Sequence, residues 1–296
     1  MNKPSIVFFG SGSVAAKSLT KLRSDFEIEA IITKPSTEHE MSQCVPGTPI
    51  FSATNSKSLD QLFINHKFTS VVAVLIDFGI IVSDTIIKSF PKGILNSHFS
   101  ILPELRGADP ITFAILSGQK TTGVSVMQLV VAMDEGDLLG FKELEIKNDE
   151  TEPTLTFKLI ELSDSLLKQL IPDYLSGVLK PKPQSNTGRK MSYSRKLTKQ
   201  DGVLDFTKSA MQLEREIRAF ITWPKSRTEI AGKDVIVLKA SVDQSTNLIP
   251  GAISETNDKK ICIGTKSGGL IIEELKPAGK PSMSSSAFLA GNRTNI

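Results

Sequence analysis

Asn96, His98 and Asp134 have the residue types and the spacing for proton-transfer chemistry. The apolar run Gly93-Ile94-Leu95 leads into Asn96 and His98, and at spacing i, i+2 a strand puts both on one face. Ser100-Ile101-Leu102-Pro103 follows as a stiff turn, because Pro103 fixes its own φ and restricts Leu102. A second apolar run, Val124 to Val131, then delivers the acidic loop Asp134-Glu135-Gly136-Asp137. An unperturbed imidazole titrates near pH ~6.5, so it can pass protons around neutrality. A carboxylate beside it orients the ring and favours its charged form. A carboxamide aimed at a developing oxyanion supplies preorganised stabilisation. Asn-x-His at a strand end is also ordinary loop polarity, so the pair alone leaves both readings open.

The elements that must position these groups alternate between strands and helices. Ser5 to Phe9 reads as a buried strand, Gly10-Ser11-Gly12-Ser13 as a turn, and Val14 to Leu22 as a helix. A dinucleotide fingerprint is rejected here. Ala15 takes the third glycine position, and the next strand, Glu29 to Thr33, ends without an acidic residue for a ribose. Gly10 and Gly12 instead suit a helix N-terminus turned toward a substrate group. Lys34 to Pro49 reads as a polar surface loop. Thr69 to Ile76 is β-branched and apolar, as a central parallel strand requires, and runs into Asp77-Phe78-Gly79. Ser83 is an N-cap for a helix over Asp84 to Phe90. Beyond the central stretch come a helix over Asp109 to Ser117 and a strand over Phe141 to Ile146. A long helix follows, with Leu155, Leu159, Leu162, Leu166, Leu170 and Ile171 in one stripe. The pattern implies an α/β fold: a doubly wound, mostly parallel sheet that binds its ligands at the C-terminal ends of the strands.

A change of composition marks the second half. Lys180 to Lys190, KPKPQSNTGRK, has linker character, and short strands from Asp234 onward suggest a small OB-like β-barrel. The expected organisation is a catalytic domain over 1–182, a linker over 183–202 and a C-terminal domain over 203–296. Net charge is +3, unevenly placed: residues 189–296 hold 18 of the 35 basic and 11 of the 32 acidic side chains. That excess of +7, against −4 before it, suits a phosphate backbone as partner, and equally a solvated face. No apolar run reaches membrane-span length, and the N-terminal one is too short for a signal peptide. Cys44 and Cys262 have no metal-ligand or redox spacing, which suits free thiols in a reducing cytoplasm.

Asn96-x-His98-x-Ser100-Ile101-Leu102-Pro103-x-x-Arg106-Gly107-Ala108, followed by Thr122-Gly123-Val124 and Asp134-x-Gly136-Asp137, resembles the signature of the folate-dependent formyltransferases. Within that family the Arg106-Gly107-Ala108 continuation is most similar to the members that act on methionyl-tRNA. The resemblance covers nearly the whole chain, including Trp223-Pro224 and the tail from Leu275 to Gly291. It implies transfer of a formyl group from 10-formyltetrahydrofolate to an amine, with no metal. Asn96, His98 and Asp134 are the catalytic positions it implies. Ser100, Ile101, Leu102 and Pro103 match its folate-contacting turn, with Phe78, Gly79 and Asp137 as further donor contacts. Phe78 could equally cap the core, and Asp137 could merely shape the acidic loop. Gly10, Gly12 and Arg106 are the candidate acceptor contacts; Arg106 could also form a local salt bridge. The chain departs from the family at 34–49, which is short and carries Glu38 and Glu40, and at Asp77 and Asp109.

Methionyl-tRNA is therefore the expected acceptor, with folate as the second partner, no membrane and a monomeric enzyme. A sibling activity on an amino-sugar nucleotide shares the same three residues and the same donor. A non-catalytic RNA-binding relative is the other class, and the joint presence of Asn96, His98 and Asp134 argues against it.

Overall fold

The structure, a computed structural model, describes residues 3–292. The outermost residues of both expected domains, 1–2 and 293–296, lie outside this range. The chain separates into two compact units. The first comprises Met1–Pro110, Thr121–Glu145 and Thr156–Ser194; the second comprises Ile111–Lys120, Ile146–Leu155 and Arg195–Ile296.

In the first unit β1 (Ser5–Gly10), α1 (Ser13–Leu22), β2 (Glu27–Thr33), α2 (Glu38–Cys44), β3 (Ile50–Ser52) and α3 (Ser56–Asn65) alternate. They continue with β4 (Ala73–Ile76), α4 (Asp84–Ser89), β5 (Ile94–His98) and the short β6 (Arg106–Gly107). After α5 (Pro110–Leu116), which groups with the second unit from Ile111 on, come β7 (Thr121–Gln128), β8 (Leu138–Glu145), α6 (Glu152–Leu175), which belongs to the first unit from Thr156 on, and the two-residue β9 (Tyr193–Ser194). Seven strands form one sheet in the order β3-β2-β1-β4-β5-β7-β8. Pairing is parallel from β3 through β5 and antiparallel for β7 and β8. Chain order runs outward from β1 to β3, then resumes on the other side with β4. The switch point thus falls between β1 and β4, where doubly wound sheets open their ligand crevice.

Local sequence explains these elements. Ile6, Val7, Phe8 and Phe9 are all fully buried, as a central parallel strand covered on both faces demands. Asn55 caps α3 reciprocally with Ser58, and the Ser83 hydroxyl accepts from Ile86 N–H to start α4. The α6 stripe is core: Leu155, Leu159, Leu166 and Ile171 are buried, and Leu162 is half-buried. Gly10 ends β1 as glycine because a Cβ there would meet the Ala15 Cβ at 2.6 Å and the Ile76 carbonyl at 2.9 Å. This close approach lets α1 sit tightly on the sheet.

The 34–49 stretch differs from the loop expected of it. Pro35–Thr37 forms a 3-10 turn and α2 follows at once. Met41 is the reason: it is fully buried and anchors an otherwise polar helix. Glu38 and Glu40 complement the helix dipole in its first turn, and Arg23 Nη1 donates to the Cys44 carbonyl at its end (2.6 Å). The run expected to continue to Val131 stops pairing at Gln128, beyond which Val130 and Val131 are exposed.

The second unit contains α7 (Ala210–Ala219), β10 (Ser226–Ile230), β11 (Lys233–Asp243), β12 (Ile253–Glu255), β13 (Ile261–Gly264), β14 (Gly269–Pro277), β15 (Met283–Ser284) and α8 (Ser285–Ala290). Its strands form a six-stranded antiparallel sheet curled as a half-barrel. Leu213 and Ile217 of α7 share one core with Val235, Val237, Leu270 and Ile272 of that sheet.

A tight packing constraint in the first unit lies in β7. A Cβ on Gly123 would come 2.0 Å from the Lys142 carbonyl oxygen and 2.2 Å from Ile101 Cδ1. Gly123→Ala should lower unfolding stability by about 1–3 kcal/mol through overpacking. A urea midpoint equal to that of the parent protein would show that β7 and β8 yield at no cost.

Candidate active site

Register places Asn96 and His98 at the C-terminal end of β5, and the loop after β7 brings Asp134 to them. Leu75 of β4 pairs with Asn96 of β5, and His98 of β5 pairs with Ser125 of β7. Both Asn96 and His98 are 7% exposed. The Asn96 carboxamide donates through Nδ2 to Asp134 Oδ1 (3.3 Å), and the Gly107 N–H donates to Asp134 Oδ2 (2.7 Å). His98 Nδ1 lies 3.8 Å from the same Oδ2. His98 Nε2 is 2.9 Å from the Leu105 carbonyl. A carbonyl only accepts, so the ring donates there from Nε2–H and holds its exchangeable position at Nδ1, facing Asp134. One Asn96 N–H is spent on Asp134, which leaves the second for a ligand atom.

The carboxylate is held in place by its own loop. Asp134 has φ 53°, and Leu105 and Asp109, on the segment beside it, have φ 54° and 56°. Left-handed conformations of this kind persist where surrounding contacts impose them. Gln184 provides those contacts: its Nε2 donates to the carbonyls of Asp134 (2.7 Å) and Gly136 (2.9 Å). Its Oε1 accepts from Arg106 Nη2 (2.7 Å) and Nε (3.2 Å). Arg106 also bridges Glu135 at 3.0 Å. Arg106 therefore forms the local salt bridge that its sequence context left open, and its guanidinium is directed at the loop. Gly136 is required by approach, since a Cβ there would sit 1.7 Å from the Gln128 carbonyl oxygen.

At the switch point, Asp77 follows β4 with φ 49°. A Cβ on Gly12 would lie 3.9 Å from Asp77 Oδ2, and one on Gly79 would lie 2.8 Å from Lys34 Nζ. Gly12 and Gly79 have φ 85° and 67°, conformations that glycine adopts without strain. The Asp77 carboxyl is pushed up to about 6, first by burial and then by the Asp109 carboxylate, against an opposing pull from Lys34. Solvent reaches Asp77 at the cleft mouth, yet the protein around it strips much of its hydration.

Residues 5–171 match the formyl transferase family and residues 196–293 match the formyl transferase C-terminal domain. The chain belongs to the formyl transferase family. It is 33% identical to a methionyl-tRNA formyltransferase of Myxococcus xanthus, over 99% of this chain and 96% of that one. Two solved structures share the fold. HypX from Aquifex aeolicus, in complex with tetrahydrofolic acid, matches at TM-score 0.67 and 14% identity, over 98% of this chain and 48% of HypX. This chain thus spans about half the length of HypX. The N-formyltransferase of Helicobacter canadensis, in complex with folinic acid and dTDP-3-aminofucose, matches at TM-score 0.66 and 18% identity, over 92% and 99% of the two chains.

The formyltransferase brings some of the sequence-selected residues together and separates others. Asn96, His98, Asp134 and Arg106 meet around one loop. Ser100, Ile101, Leu102 and Pro103 are all buried. The Leu102 N–H donates to Ser125 Oγ (2.9 Å), Ser125 Oγ donates to the Ser100 carbonyl (2.8 Å), and Leu102 packs on Met127 and Leu138. This turn builds the sheet edge with its side chains. Phe78 is 1% exposed, with its ring edge-on to Phe9 at 5.5 Å, so of its two readings the core is the one observed. The segment turns inward after Asp77 because the aromatic cluster beneath the sheet accepts the ring. Asp137 is exposed, and its carbonyl accepts from Gln128 N–H (2.9 Å), so it shapes the loop. Gly10 is spent on helix packing, whereas Gly12 opens on the cleft beside Asp77. Among the described residues no group of three or more His, Cys, Asp or Glu is arranged to hold a metal.

Sequence reasoning missed Gln184, which lies in the stretch read as linker. Ser192 and Ser194 of that stretch also hold the site: the Leu105 N–H donates to Ser192 Oγ (2.9 Å), and β6 pairs in parallel with β9. The available signal was weak, a lone Gln inside KPKPQSNTGRK.

Gln184→Ala should release the Asp134 loop and leave Arg106 a partner short. A buried hydrogen-bond partner of this kind is worth about 1–3 kcal/mol. Formyl transfer should fall with it, and unchanged transfer would show that the loop holds itself. Asp77 gives a pH prediction of definite sign. Its folded value near 6 exceeds the ordinary 3.8, so its contribution is fully present below pH 3.8 and is lost as pH rises through 6. Asp77→Asn removes that loss, so the variant should gain stability relative to the parent protein between pH 4 and 7. A stability difference that stays flat across this range would refute the assignment.

Proposed function

We propose that this formyltransferase moves the formyl group of 10-formyltetrahydrofolate to the amino group of methionyl-tRNA. The observation that carries the reading is the Asn96–Asp134–His98 constellation, gathered around one carboxylate at the C-terminal end of β5. The near full-length likeness to a methionyl-tRNA formyltransferase supports that acceptor.

The chemistry follows from the atoms present. The acceptor nitrogen attacks the formyl carbon, and the carbonyl oxygen becomes an oxyanion. The second Asn96 N–H and the imidazole stabilise it. The attacking amine loses one proton and the departing folate nitrogen gains one as its bond to carbon breaks. His98 Nδ1 and the Asp134 carboxylate, 3.8 Å apart, leave room for that proton to pass between them or through a water. The Leu105 carbonyl fixes the ring so that Nδ1 stays directed inward. Gly12, at the N-terminus of α1, and the backbone of the Ser100–Pro103 turn are the remaining contacts offered to acceptor and donor.

The test is an assay with 10-formyltetrahydrofolate and two acceptors, methionyl-tRNA and a dTDP-linked amino sugar. Formylation of the tRNA is expected, and formylation of the sugar alone would overturn the acceptor assignment. His98→Ala should cost about 10²–10⁴-fold in rate at saturating donor, with thermal stability little changed. Near-normal turnover of that variant would remove His98 from the mechanism.

A further inference from the structure

Asp77 is an exposed carboxylate at the ligand crevice that the chemistry above does not use. Leu75 of β4 lies beside Asn96 of β5, so Asp77 and His98, each two residues further on, stand level where neighbouring strands end. On the other side Ile76 pairs with Gly10, and the Ser11 N–H donates to the Asp77 carbonyl (3.0 Å). The residue is thus pinned at the switch point, between the start of α1 and the strand that carries Asn96 and His98. Gly12 leaves its carboxyl open, since even a Cβ there would stand 3.9 Å from Oδ2.

Among the described residues, two charges act on the Asp77 carboxyl and no hydrogen bond does. Lys34, in the segment after β2, attracts it. Asp109, two residues beyond the Gly107 N–H that holds Asp134, repels it. The β1–α1 turn, Gly10-Ser11-Gly12-Ser13, has no titratable side chain, and His98 is the titratable group at the end of β5. Burial and Asp109 push the carboxyl up to about 6, close enough to neutrality for it to take and release protons in turnover. A carboxylate short of water and of donors calls for a ligand that donates to it.

We infer that Asp77 binds the acceptor's amino group as an ammonium ion and takes one proton from it before transfer. This rests on the reaction proposed above. An α-ammonium titrates at ~7.7–8.0, so the acceptor arrives charged at neutral pH and cannot attack carbon in that form. In the step one N–H bond breaks, its electron pair stays on nitrogen, and the proton passes to a carboxylate oxygen of Asp77. The carboxylate becomes a neutral acid, and the free amine attacks the formyl carbon. Solvent at the cleft mouth then takes the proton from Asp77. The second proton, lost on attack, passes to His98 and Asp134 as before. An anionic group fits less well, because it would meet the Asp77 and Asp109 carboxylates with Lys34 alone to favour it. A hydroxyl could donate to Asp77 but has no proton to give up near neutrality.

The experiment follows kcat/KM of the full chain against pH at saturating 10-formyltetrahydrofolate, with methionyl-tRNA and with a dTDP-linked amino sugar as acceptors. The parent profile should rise through about pH 6. Asp77→Asn keeps the side-chain shape and tolerates the left-handed backbone. In that variant the rise should move up to the acceptor's own titration. Its deficit should be about tenfold near pH 7 and small by about pH 9, because free amine falls about tenfold for each pH unit below that titration. Asp109→Asn should move the parent's rise to lower pH and Lys34→Gln to higher pH, following the signs of their effects on Asp77. Parent rates at every pH in Asp77→Asn, a deficit constant with pH, or a rise that stays near pH 6 in that variant would each overturn this role alone. A constant deficit would identify a hydroxyl contact only. A parent protein that formylates neither acceptor would remove the proposed reaction and this role with it.

Discussion

The site depends on where a single carboxylate, that of Asp134, is held. Its two oxygens accept from groups on different strands, Asn96 on β5 and Gly107 on β6, and His98 faces it from the end of β5. A residue with φ 53° does not stay in that conformation by its own preference. Gln184 fixes the loop through two carbonyls, and Gly136 lets the loop lie against the Gln128 carbonyl. Backbone strain and a buried hydrogen-bond network are thus coupled. The network keeps the strained conformation, and that conformation aims the carboxylate at the imidazole.

This coupling explains why the stretch after α6 is ordered. Gln184, Ser192 and Ser194 each complete a backbone or side-chain group of the 104–107 segment, and Arg189 bridges Glu104 at 3.0 Å as well as Glu143. Proline, serine and glycine give the stretch the composition of a linker, but its polar groups are spent on the catalytic unit. The division into units is not sequential either. Ile111–Lys120 and Ile146–Leu155 group with the C-terminal residues, although both fall within the sequence of the catalytic unit. Within the second unit, Arg218 Nη1 donates to the Glu150 carbonyl (2.7 Å) and Thr222 Oγ1 to Glu152 (2.7 Å).

What the sequence made legible has a local physical basis. The i, i+2 spacing of Asn96 and His98 is a property of any strand, so their common face could be read directly. The Ser83 cap and the α6 stripe are equally local. Gln184 was illegible for the opposite reason, since its partners lie about 50 and 78 residues away along the chain. Met41 fell between these cases. One buried anchor turned a polar stretch into a helix, and no periodicity shows up in a single residue.

Phe78 and the Ser100–Pro103 turn mark a different limit. Both sit at the C-terminal ends of strands, where a doubly wound sheet binds its ligands, and that position is correctly placed. Position along the sheet nevertheless does not give direction across it. Asp77, with φ 49°, diverts the chain just after β4, so the alternation that holds within a strand no longer tells which way Phe78 points. The aromatic cluster containing Phe9, Phe63 and Phe90 then offers the ring apolar burial that the cleft cannot match. The carboxylate of Asp77 remains at the mouth of the cleft. Two adjacent residues are thus sorted, one to the core and one to the site, by a single backbone dihedral.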